Sequence, residues 1–412
     1  MIEYNTFTLS NGLRVVHNYD GATAMVALDV MYDVGARDES PEMTGMAHLF
    51  EHLMFGGSVN VPDFDGAIEN AGGMNNAWTS NDYTNFYDIV PAQNVETAFW
   101  VESDRMLSLA FSDKALEVQR NVVIEEFKQT CLNRPYGDMS HHLRAMVYKT
   151  HPYRYPVIGK EIAHIERVTQ EDVKTFFYSH YAPNNAVLAV SGNISLEETR
   201  RLAEKWFGPI PSREIMPRSY SAEPMQTESR SVEVEGNVPQ IAMVKAFRMP
   251  AYGEPGYIES DIITDLLASG RSSRFYRNLL ISTGLFTEVD ASIIGSDEPG
   301  FLMLNCKLVE NSRQAIADAT DAMMNEVQRL VEGDVSEYEL TRTINRFESN
   351  FMFSSMGFMA KAQSLANYVM HNEDINGVVA RYRNVTPKDI ARVAKNIFDF
   401  NKCSTLIYLP QK

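Results

Sequence analysis

Two histidines four residues apart, with a glutamate just before the second, are the part of this sequence most able to do chemistry. They are His48, Glu51 and His52, within MAHLFEHLMFGG at residues 46–57. On a helix of 3.6 residues per turn, residues i and i+4 lie one above the other, and Glu51 falls within the same arc. The surrounding residues are apolar, so the three side chains form one narrow polar stripe on a helix that is otherwise buried.

This stripe is typical of a zinc site. Two imidazoles so placed can present nitrogens to one Zn²⁺ ion at about 2.0–2.1 Å, and an adjacent carboxylate that is not a ligand can take a proton from the metal-bound water. The pattern H-x-x-E-H serves metal-assisted hydrolysis of this kind. The alternative interpretation is a pair of core histidines hydrogen-bonded to Glu51. Burial of imidazoles and a carboxylate is costly without a partner or a metal, which favours the zinc interpretation.

Catalytic zinc commonly uses two histidines and one carboxylate, so a third ligand is needed. The predicted helix LEVQRNVVIEEFKQT at residues 116–130 offers Glu117, Glu125 and Glu126. Its apolar residues indicate a buried helix, on which an inward carboxylate would need a partner. Spacing alone does not choose among the three glutamates, and the alternative that all are solvated surface residues stays open.

The elements around these residues alternate between strand and helix patterns, which predicts an α+β fold. Asn11-Gly12 between alternating segments predicts a β-hairpin. Further patterns predict strands at 23–36, 75–91 and 185–195, helices at 44–55, 63–71, 93–110, 113–131 and 196–206, then strands at 239–248, 286–309 and 403–409 and helices at 256–268, 311–332, 335–350 and 387–398. The two halves share an order of elements, which indicates an internal duplication.

The segment at 208–228 is rich in proline, serine and charge and has no periodicity, which is typical of a linker. We therefore predict an N-terminal zinc-binding catalytic domain at 1–210, a linker at 211–228 and a homologous C-terminal domain at 229–412. Each domain should be a mostly antiparallel sheet packed with helices. With 412 residues, the chain is long enough for about two to three domains.

Composition excludes several classes of function. A net charge of −17 disfavours binding to nucleic acid, and no apolar run is long enough to span a membrane. The three cysteines are far apart, which argues against disulfides and against a cysteine-based metal site. The N-terminus has no basic, apolar leader, which favours a cytoplasmic location; a signal peptide removed beforehand would instead indicate the periplasm.

Several longer segments carry a resemblance to a known family. They are TLSNGLRVV, GMAHLFEHLMFGGS, AGGMNNAWTSNDYTNFY, QRNVVIEEF, YSHYAPNNAVLAVSGNIS and LLASGRSSRFYRNLL, in this order along essentially the whole chain. The sequence resembles the pitrilysin/insulinase family of zinc metallopeptidases, the inverzincins, and within it the short two-domain members similar to processing peptidases. The resemblance implies a zinc endopeptidase that cleaves short or unfolded peptides inside a closed chamber.

The resemblance also implies roles for individual residues. His48 and His52 would bind Zn²⁺, Glu51 would be the general base, and Glu126 would be the third ligand, with Glu125 as a neighbour that does not bind the metal. Asn76 and Ala77 match the family's substrate-binding strand, which pairs with the peptide backbone; the alternative for this stretch is a structural edge strand.

The sequence departs from the family pattern in two places. Gln119 stands where the family often has a further glutamate, which removes a carboxylate behind the ligands and could weaken metal affinity. Leu280 and Thr287 stand where active members supply an arginine and a tyrosine that stabilise the oxyanion. Arg274 and Tyr276 lie nearby, in a segment that looks structural, and we expect neither to take over that role.

These departures leave three functions open. The first is a zinc endopeptidase, which the resemblance implies is a dimer. The second is a zinc-bearing subunit that is active only in a heterodimer with a related subunit supplying the arginine and tyrosine. The third is a non-catalytic scaffold subunit, which the intact H-x-x-E-H and Glu126 disfavour because a scaffold has no need for them.

Overall fold

The computed structural model describes residues 1–411 as a mixed α+β fold with two separate sheets. The strands are β1 (Asn5–Thr8), β2 (Arg14–Tyr19), β3 (Met25–Tyr32), β4 (Met74–Thr79), β5 (Thr84–Pro91), β6 (Ala186–Gly192), β7 (Arg230–Gly236), β8 (Ala242–Arg248), β9 (Phe286–Ile294), β10 (Phe301–Leu308) and β11 (Ser404–Pro410).

Groups of helices separate groups of strands along the chain. They are α1 (Met46–Leu53), α2 (Phe64–Asn70), α3 (Val95–Leu107), α4 (Asp113–Phe127), α5 (Met139–Val147), α6 (Ile162–Glu166), α7 (Gln170–His180), α8 (Leu196–Trp206), α9 (Tyr257–Ala268), α10 (Arg313–Val331), α11 (Glu337–Ser354), α12 (Phe358–Met370), α13 (Val378–Arg383) and α14 (Pro387–Ile397). Short π-helical segments follow α4 at Lys128–Leu132 and α9 at Phe275–Leu280.

Contacts group the chain into two compact units that are not contiguous in sequence. The first contains residues 1–127, 155–220 and 350–378, and the second contains 128–154, 221–349 and 379–412. The predicted domains on either side of 211–228 are contiguous in sequence, whereas each compact unit contains segments from both sides of that linker. The division into two homologous domains stays a prediction.

The first unit contains a six-stranded sheet in the order β1-β2-β6-β3-β5-β4. All its pairs are antiparallel except β2 with β6. The predicted hairpin forms between β1 and β2, and Gly12 in its turn has φ of +89°, which side chains other than glycine rarely adopt. Strand β4 pairs on one side only, so it lies at the edge of the sheet.

The second unit repeats this topology. Its five-stranded sheet has the order β7-β11-β8-β10-β9, and only β7 with β11 is parallel. Without β1, the first sheet has the same chain-order pattern and the same pairing directions, strand for strand. The identical order supports the internal duplication indicated by the sequence, and both sheets are mostly antiparallel, as predicted.

Both faces of β3, in the middle of the first sheet, are buried. One face carries Leu28 and Val30 in the large core that also holds the apolar side of α1. The opposite face carries Ala27 and Met31, which pack with residues of α12 in a smaller cluster. Side chains alternate between the two faces of a strand, and burial of each such side chain contributes about 1.5–3 kcal/mol. Strand β3 is therefore held from both sides.

Most predicted elements are found within a few residues of their predicted bounds, and three kinds of difference occur. Strand β8 begins at Ala242 rather than 239, and β7, just after the predicted linker, was not predicted. Helices α5, α6, α7, α12 and α13 were not predicted from the pattern. No helix of the described chain is long and apolar enough to cross a membrane.

Candidate metal centre

Helix α1 carries the histidine pair, and its start is fixed by glycine and by a buried carboxylate. Gly45 precedes the helix with φ of +87°, and a Cβ there would meet the backbone oxygen of Ile158 at 2.9 Å. Glu39 accepts hydrogen bonds of 2.8 Å from the amides of Gly45 and Ala47. These amides belong to the free N-terminal N–H groups of a helix, so Glu39 satisfies groups that would otherwise be unpaired.

The polar stripe predicted on α1 is present. Its apolar residues Met46, Leu49, Phe50 and Leu53 are buried in the core, whereas His48, Glu51 and His52 remain partly exposed. The two imidazole rings lie 4.9 Å apart between centroids and nearly perpendicular. Both rings therefore face the same side of the helix, as the four-residue spacing requires.

Glu126 of α4 completes a cluster with these histidines. Its Oε2 lies 3.6 Å from Nε2 of His48 and 3.5 Å from Nε2 of His52. Ligand atoms of the three residues all lie within 4.8 Å of one another, and they form the one such group of histidine, cysteine and acidic residues among the described residues. The neighbouring Glu125 is exposed. Spacing left three glutamates open, and the fold brings Glu126 to the histidines.

The distances in this cluster fit a shared metal ion better than hydrogen bonds. Nitrogen–oxygen hydrogen bonds are about 2.7–3.2 Å long, which is shorter than both distances. Two ligands held tetrahedrally at about 2.0–2.1 Å from one ion lie roughly 3.3–3.4 Å apart, close to the 3.5 and 3.6 Å found here. Two imidazoles and one carboxylate are also a donor set that zinc prefers.

The protonation states suit metal binding as well. Burial lowers the pKa of His48 to about 4, so its imidazole is neutral at pH 7 and can offer a lone pair. The contact with the His52 ring lowers the pKa of Glu126, which keeps that carboxylate ionised. Burial raises the pKa of Glu51, so its carboxylate is a stronger base than an exposed glutamate.

Glu51 is held by a residue that the sequence did not single out. The hydroxyl of Thr79, at the end of β4, donates a hydrogen bond of 2.5 Å to Oε2 of Glu51. No spacing rule relates residue 51 to residue 79, because the contact depends on how α1 packs on the sheet. The same holds for Glu39, whose capping role becomes visible only in the folded chain.

Asn76 and Ala77 lie on β4, three and two residues before Thr79. They pair with Tyr87 and Phe86 of β5, and the other side of β4 has no strand. The side-chain oxygen of Asn76 accepts a hydrogen bond of 2.8 Å from the Ala77 amide. The predicted substrate strand is thus an open sheet edge that leads to the residue holding Glu51.

The positions where an arginine and a tyrosine are expected lie in the second unit. Leu280 ends the π-helical segment after α9, and its side chain has no polar atom. Thr287 lies on β9, where its hydroxyl accepts a hydrogen bond from the side chain of Gln240. Gln119 lies half-buried on α4, two turns before Glu126. None of these three side chains can supply the charge or the ring expected at its position.

The duplicated topology gives helix α9 as the counterpart of α1. Both follow the second strand of the common pattern, β3 and β8, and both begin after a glycine with positive φ, Gly45 and Gly256. Counting from these glycines, the counterparts of His48, Glu51 and His52 are Glu259, Ile262 and Ile263. The second unit therefore lacks the metal-binding pattern.

Comparison with known proteins identifies two matching family models. Residues 14–161 match the model described as insulinase (peptidase family M16), and residues 167–347 match the model described as peptidase M16 inactive domain. The second description agrees with the absence of the histidine pair from α9.

Two curated relatives illustrate the range of similarity. A protein named zinc protease PqqE from Helicobacter pylori is 26% identical over 418 residues, which cover 99% of this chain and 93% of that protein. The mitochondrial-processing peptidase subunit beta of Caenorhabditis elegans is 30% identical over 246 residues, covering 58% of this chain and 50% of the relative.

Solved structures show the same fold. A crystal structure of a protease from Helicobacter pylori superposes with a TM-score of 0.93, at 25% identity and with full coverage of both chains. Pitrilysin superposes with a TM-score of 0.81 at 19% identity, and the match covers 100% of this chain and 45% of pitrilysin.

Proposed function

The chain belongs to the insulinase (M16) family of peptidases, and on that premise we propose that it is a zinc metalloendopeptidase that cleaves short or unfolded peptides. The observation that carries the proposal is the position of Glu51 beside the cluster of His48, His52 and Glu126. Three ligands of the types zinc uses, with a separate half-buried carboxylate next to them, are the minimum set for metal-assisted hydrolysis.

The ligands in this proposal are Nε2 of His48, Nε2 of His52 and the carboxylate of Glu126. Zinc bound there would act as a Lewis acid that polarises the scissile carbonyl and makes water acidic enough to attack at neutral pH. The two histidines are held by the buried face of α1, and Glu126 is ionised before any metal binds. The chain thus holds its three ligands in position before a metal ion binds.

Glu51 would act as general base and then as general acid. Because its pKa is raised towards neutral pH, the Glu51 carboxylate can accept a proton from the attacking water and later give it to the leaving amine. The hydrogen bond from Thr79 fixes one carboxylate oxygen, so the other is free to face the water. Positioning of this kind is worth a large share of the rate in such reactions.

The open edge of β4 would bind the peptide. An extended peptide that pairs with an edge strand gains main-chain hydrogen bonds and needs few side-chain contacts. Asn76 and Ala77 lie on this edge, near Thr79 and therefore near Glu51. This mode of binding requires an extended chain, which supports short or unfolded peptides as the substrate class.

The substrate class is tested by offering the same sequence folded and unfolded. We expect cleavage of a reduced, unfolded small protein and of its short fragments, and no cleavage of the native disulfide-bonded form. A metal chelator should abolish the cleavage, and added Zn²⁺ should restore it. Equal cleavage of the folded form would contradict binding at the strand edge.

A second candidate function follows from Leu280 and Thr287. In this version the chain is a zinc-bearing subunit that needs a related partner to supply an arginine and a tyrosine for the oxyanion. One relative of this chain is itself named a subunit of a processing peptidase. Peptide cleavage measured with the chain alone and with a related subunit that carries both residues distinguishes the two versions.

A further inference from the structure

A cavity of about 360 Å³ lies in the second unit and shares no residue with the metal cluster. Its wall is formed by the turn after α9, the π-helical segment, the end of α10 and the beginning of α11. Four arginines line it: Arg274, Arg277, Arg329 and Arg342. This concentration of cations is notable in a chain whose net charge is −17.

The cavity wall contains two acidic residues, and both already accept hydrogen bonds from its arginines. Glu339 accepts two hydrogen bonds from Arg274, at 2.9 and 2.7 Å. Asp334 accepts one of 2.7 Å from Arg329, which also contacts Glu326 outside the cavity wall. The wall therefore carries four positive and two negative charges, an excess of two positive charges.

The excess resides in Arg277 and Arg342. Neither forms an ion pair or a hydrogen bond through its side chain with any residue of the described chain. Arg277 is exposed at the π-helical segment, and Arg342 is half-buried on α11. A guanidinium group offers five N–H donors in a planar arrangement that matches the oxygens of an oxyanion. Two guanidinium groups without an acidic partner at one cavity could therefore bind an anion together.

Two of the residues that line the cavity each carry a buried donor without an acceptor. Ser273 is 1% exposed and Arg274 is 6% exposed, and Oγ of the first and Nη1 of the second have no hydrogen-bond partner among the described residues. Buried polar groups are almost always paired, with protein, water or ligand. The residues that line this cationic cavity therefore include two with a buried, unpaired donor atom.

We propose that this cavity is a binding site for a phosphate-bearing anion. Phosphate offers three or four oxygens and up to two negative charges, which matches two free guanidinium forks and the excess of two charges. Hydroxyl groups of Ser272 and Ser336 and the amide of Asn278 add neutral donors to the same wall. A carboxylate has only two oxygens and one charge, so it would leave most of these donors unpaired.

The size of the cavity sets the kind of phosphate compound. Water occupies about 30 Å³ in the liquid, and a single phosphate displaces only a few waters. A cavity of about 360 Å³ therefore has room for two linked phosphates or for a phosphate ester with a small organic group. The site is independent of the proposed peptidase function, because none of its residues belongs to the metal cluster or to β4.

Calorimetric titration with pyrophosphate and with inorganic phosphate tests the site, at an ionic strength held constant with chloride. We expect saturable binding, tighter for pyrophosphate, and at least about tenfold weaker binding by the double variant Arg277→Gln/Arg342→Gln, because two charge-assisted contacts are lost. Arg271→Gln is the matched control, since Arg271 is exposed in the same segment and does not line the cavity.

Three results would overturn the proposal. They are the absence of saturable binding by the wild-type chain, equal weakening by Arg271→Gln, and binding of a tricarboxylate of similar charge as tightly as pyrophosphate. Thermal unfolding without ligand shows whether the variants are folded, and both replaced side chains lie at the surface of the cavity rather than in the core. The relative affinities for phosphate, pyrophosphate and a simple phosphate ester then show which kind of phosphate compound the cavity prefers.

Discussion

Thr79 and Glu51 are joined by a hydrogen bond of 2.5 Å that links the end of strand β4 to the helix carrying the histidine pair. The contact couples the strand proposed to bind the peptide with the carboxylate proposed to move the proton. A shift of β4 on peptide binding would therefore act directly on the orientation of Glu51.

Replacement of Thr79 by valine tests this coupling. Valine keeps the shape and loses the hydroxyl, so Glu51 loses one hydrogen bond to its charged form. We expect kcat/KM for peptide cleavage to fall about 10- to 100-fold while zinc content is unchanged. Thr79→Ser keeps the hydroxyl and should retain most of the activity. Full activity of the valine variant would show that Glu51 needs no support from β4.

Glu126 and Glu125 offer a matched pair for the third ligand. Glu126→Gln removes a charged ligand. We expect a loss of zinc affinity greater than the roughly 10- to 100-fold that is typical when a residue hydrogen-bonded to a metal ligand is replaced. Glu125→Gln makes the same chemical change at the adjacent exposed residue, and this variant should keep its zinc affinity. Competition with a chromogenic chelator measures both affinities. Loss of zinc from the Glu125 variant alone would reverse the assignment.

Asp29, on β3, should make the stability of the protein depend on pH. Burial raises the pKa of Asp29 to about 8, and only Oδ1 has a hydrogen-bond partner among the described residues, the amide of Asn85. Between its ordinary pKa near 3.8 and about 8, the folded chain binds more protons at this site than the unfolded chain does. The contribution of this site to the free energy of unfolding is therefore favourable at low pH and is lost as the pH rises to about 8.

Asp29→Asn removes that titration and resembles the protonated acid in shape. We expect the variant to gain stability relative to wild type as the pH is raised from 5 to 8.5, measured by urea unfolding at each pH. A difference between the two proteins that is constant with pH would show that Asp29 is ionised in the folded chain throughout this range.

Backbone pairing at β4 predicts a particular pattern of substrate preference. Peptides N-methylated near the scissile bond lose a main-chain donor, and we expect each affected hydrogen bond to lower kcat/KM about tenfold. Changes of single side chains at the same positions should have smaller effects. Competition assays with matched peptides measure both, and insensitivity to N-methylation would exclude strand addition.

The sequence predicts the histidine pair well because its information is local. His48 and His52 need only a helix to come together, and the apolar residues around them specify that helix. Glu126 lies on another helix, so its approach depends on packing that periodicity does not report. Thr79 and Glu39 were missed for the same reason, since both act across elements.

Helix α12 shows a second limit of sequence-based prediction. It packs on the first sheet, against Ala27 and Met31, although it follows nearly the whole of the second half in the chain. Its apolar residues Ala362, Leu365 and Ala366 are consistent with a helix, but nothing local states which sheet they cover. The topology of the sheets was predictable only as a repeated order, and the parallel pairs β2 with β6 and β7 with β11 became visible in the structure.

The central claim is that His48, His52 and Glu126 bind zinc and that Glu51 is the base beside it. The most direct test measures zinc content and cleavage of a mixed pool of short unfolded peptides, for the purified chain and for Glu51→Gln, each with and without a related subunit. We predict about one zinc per chain in both proteins and cleavage by the wild-type chain only. A chain without zinc, or a Glu51→Gln variant that cleaves as well as wild type, would contradict the claim.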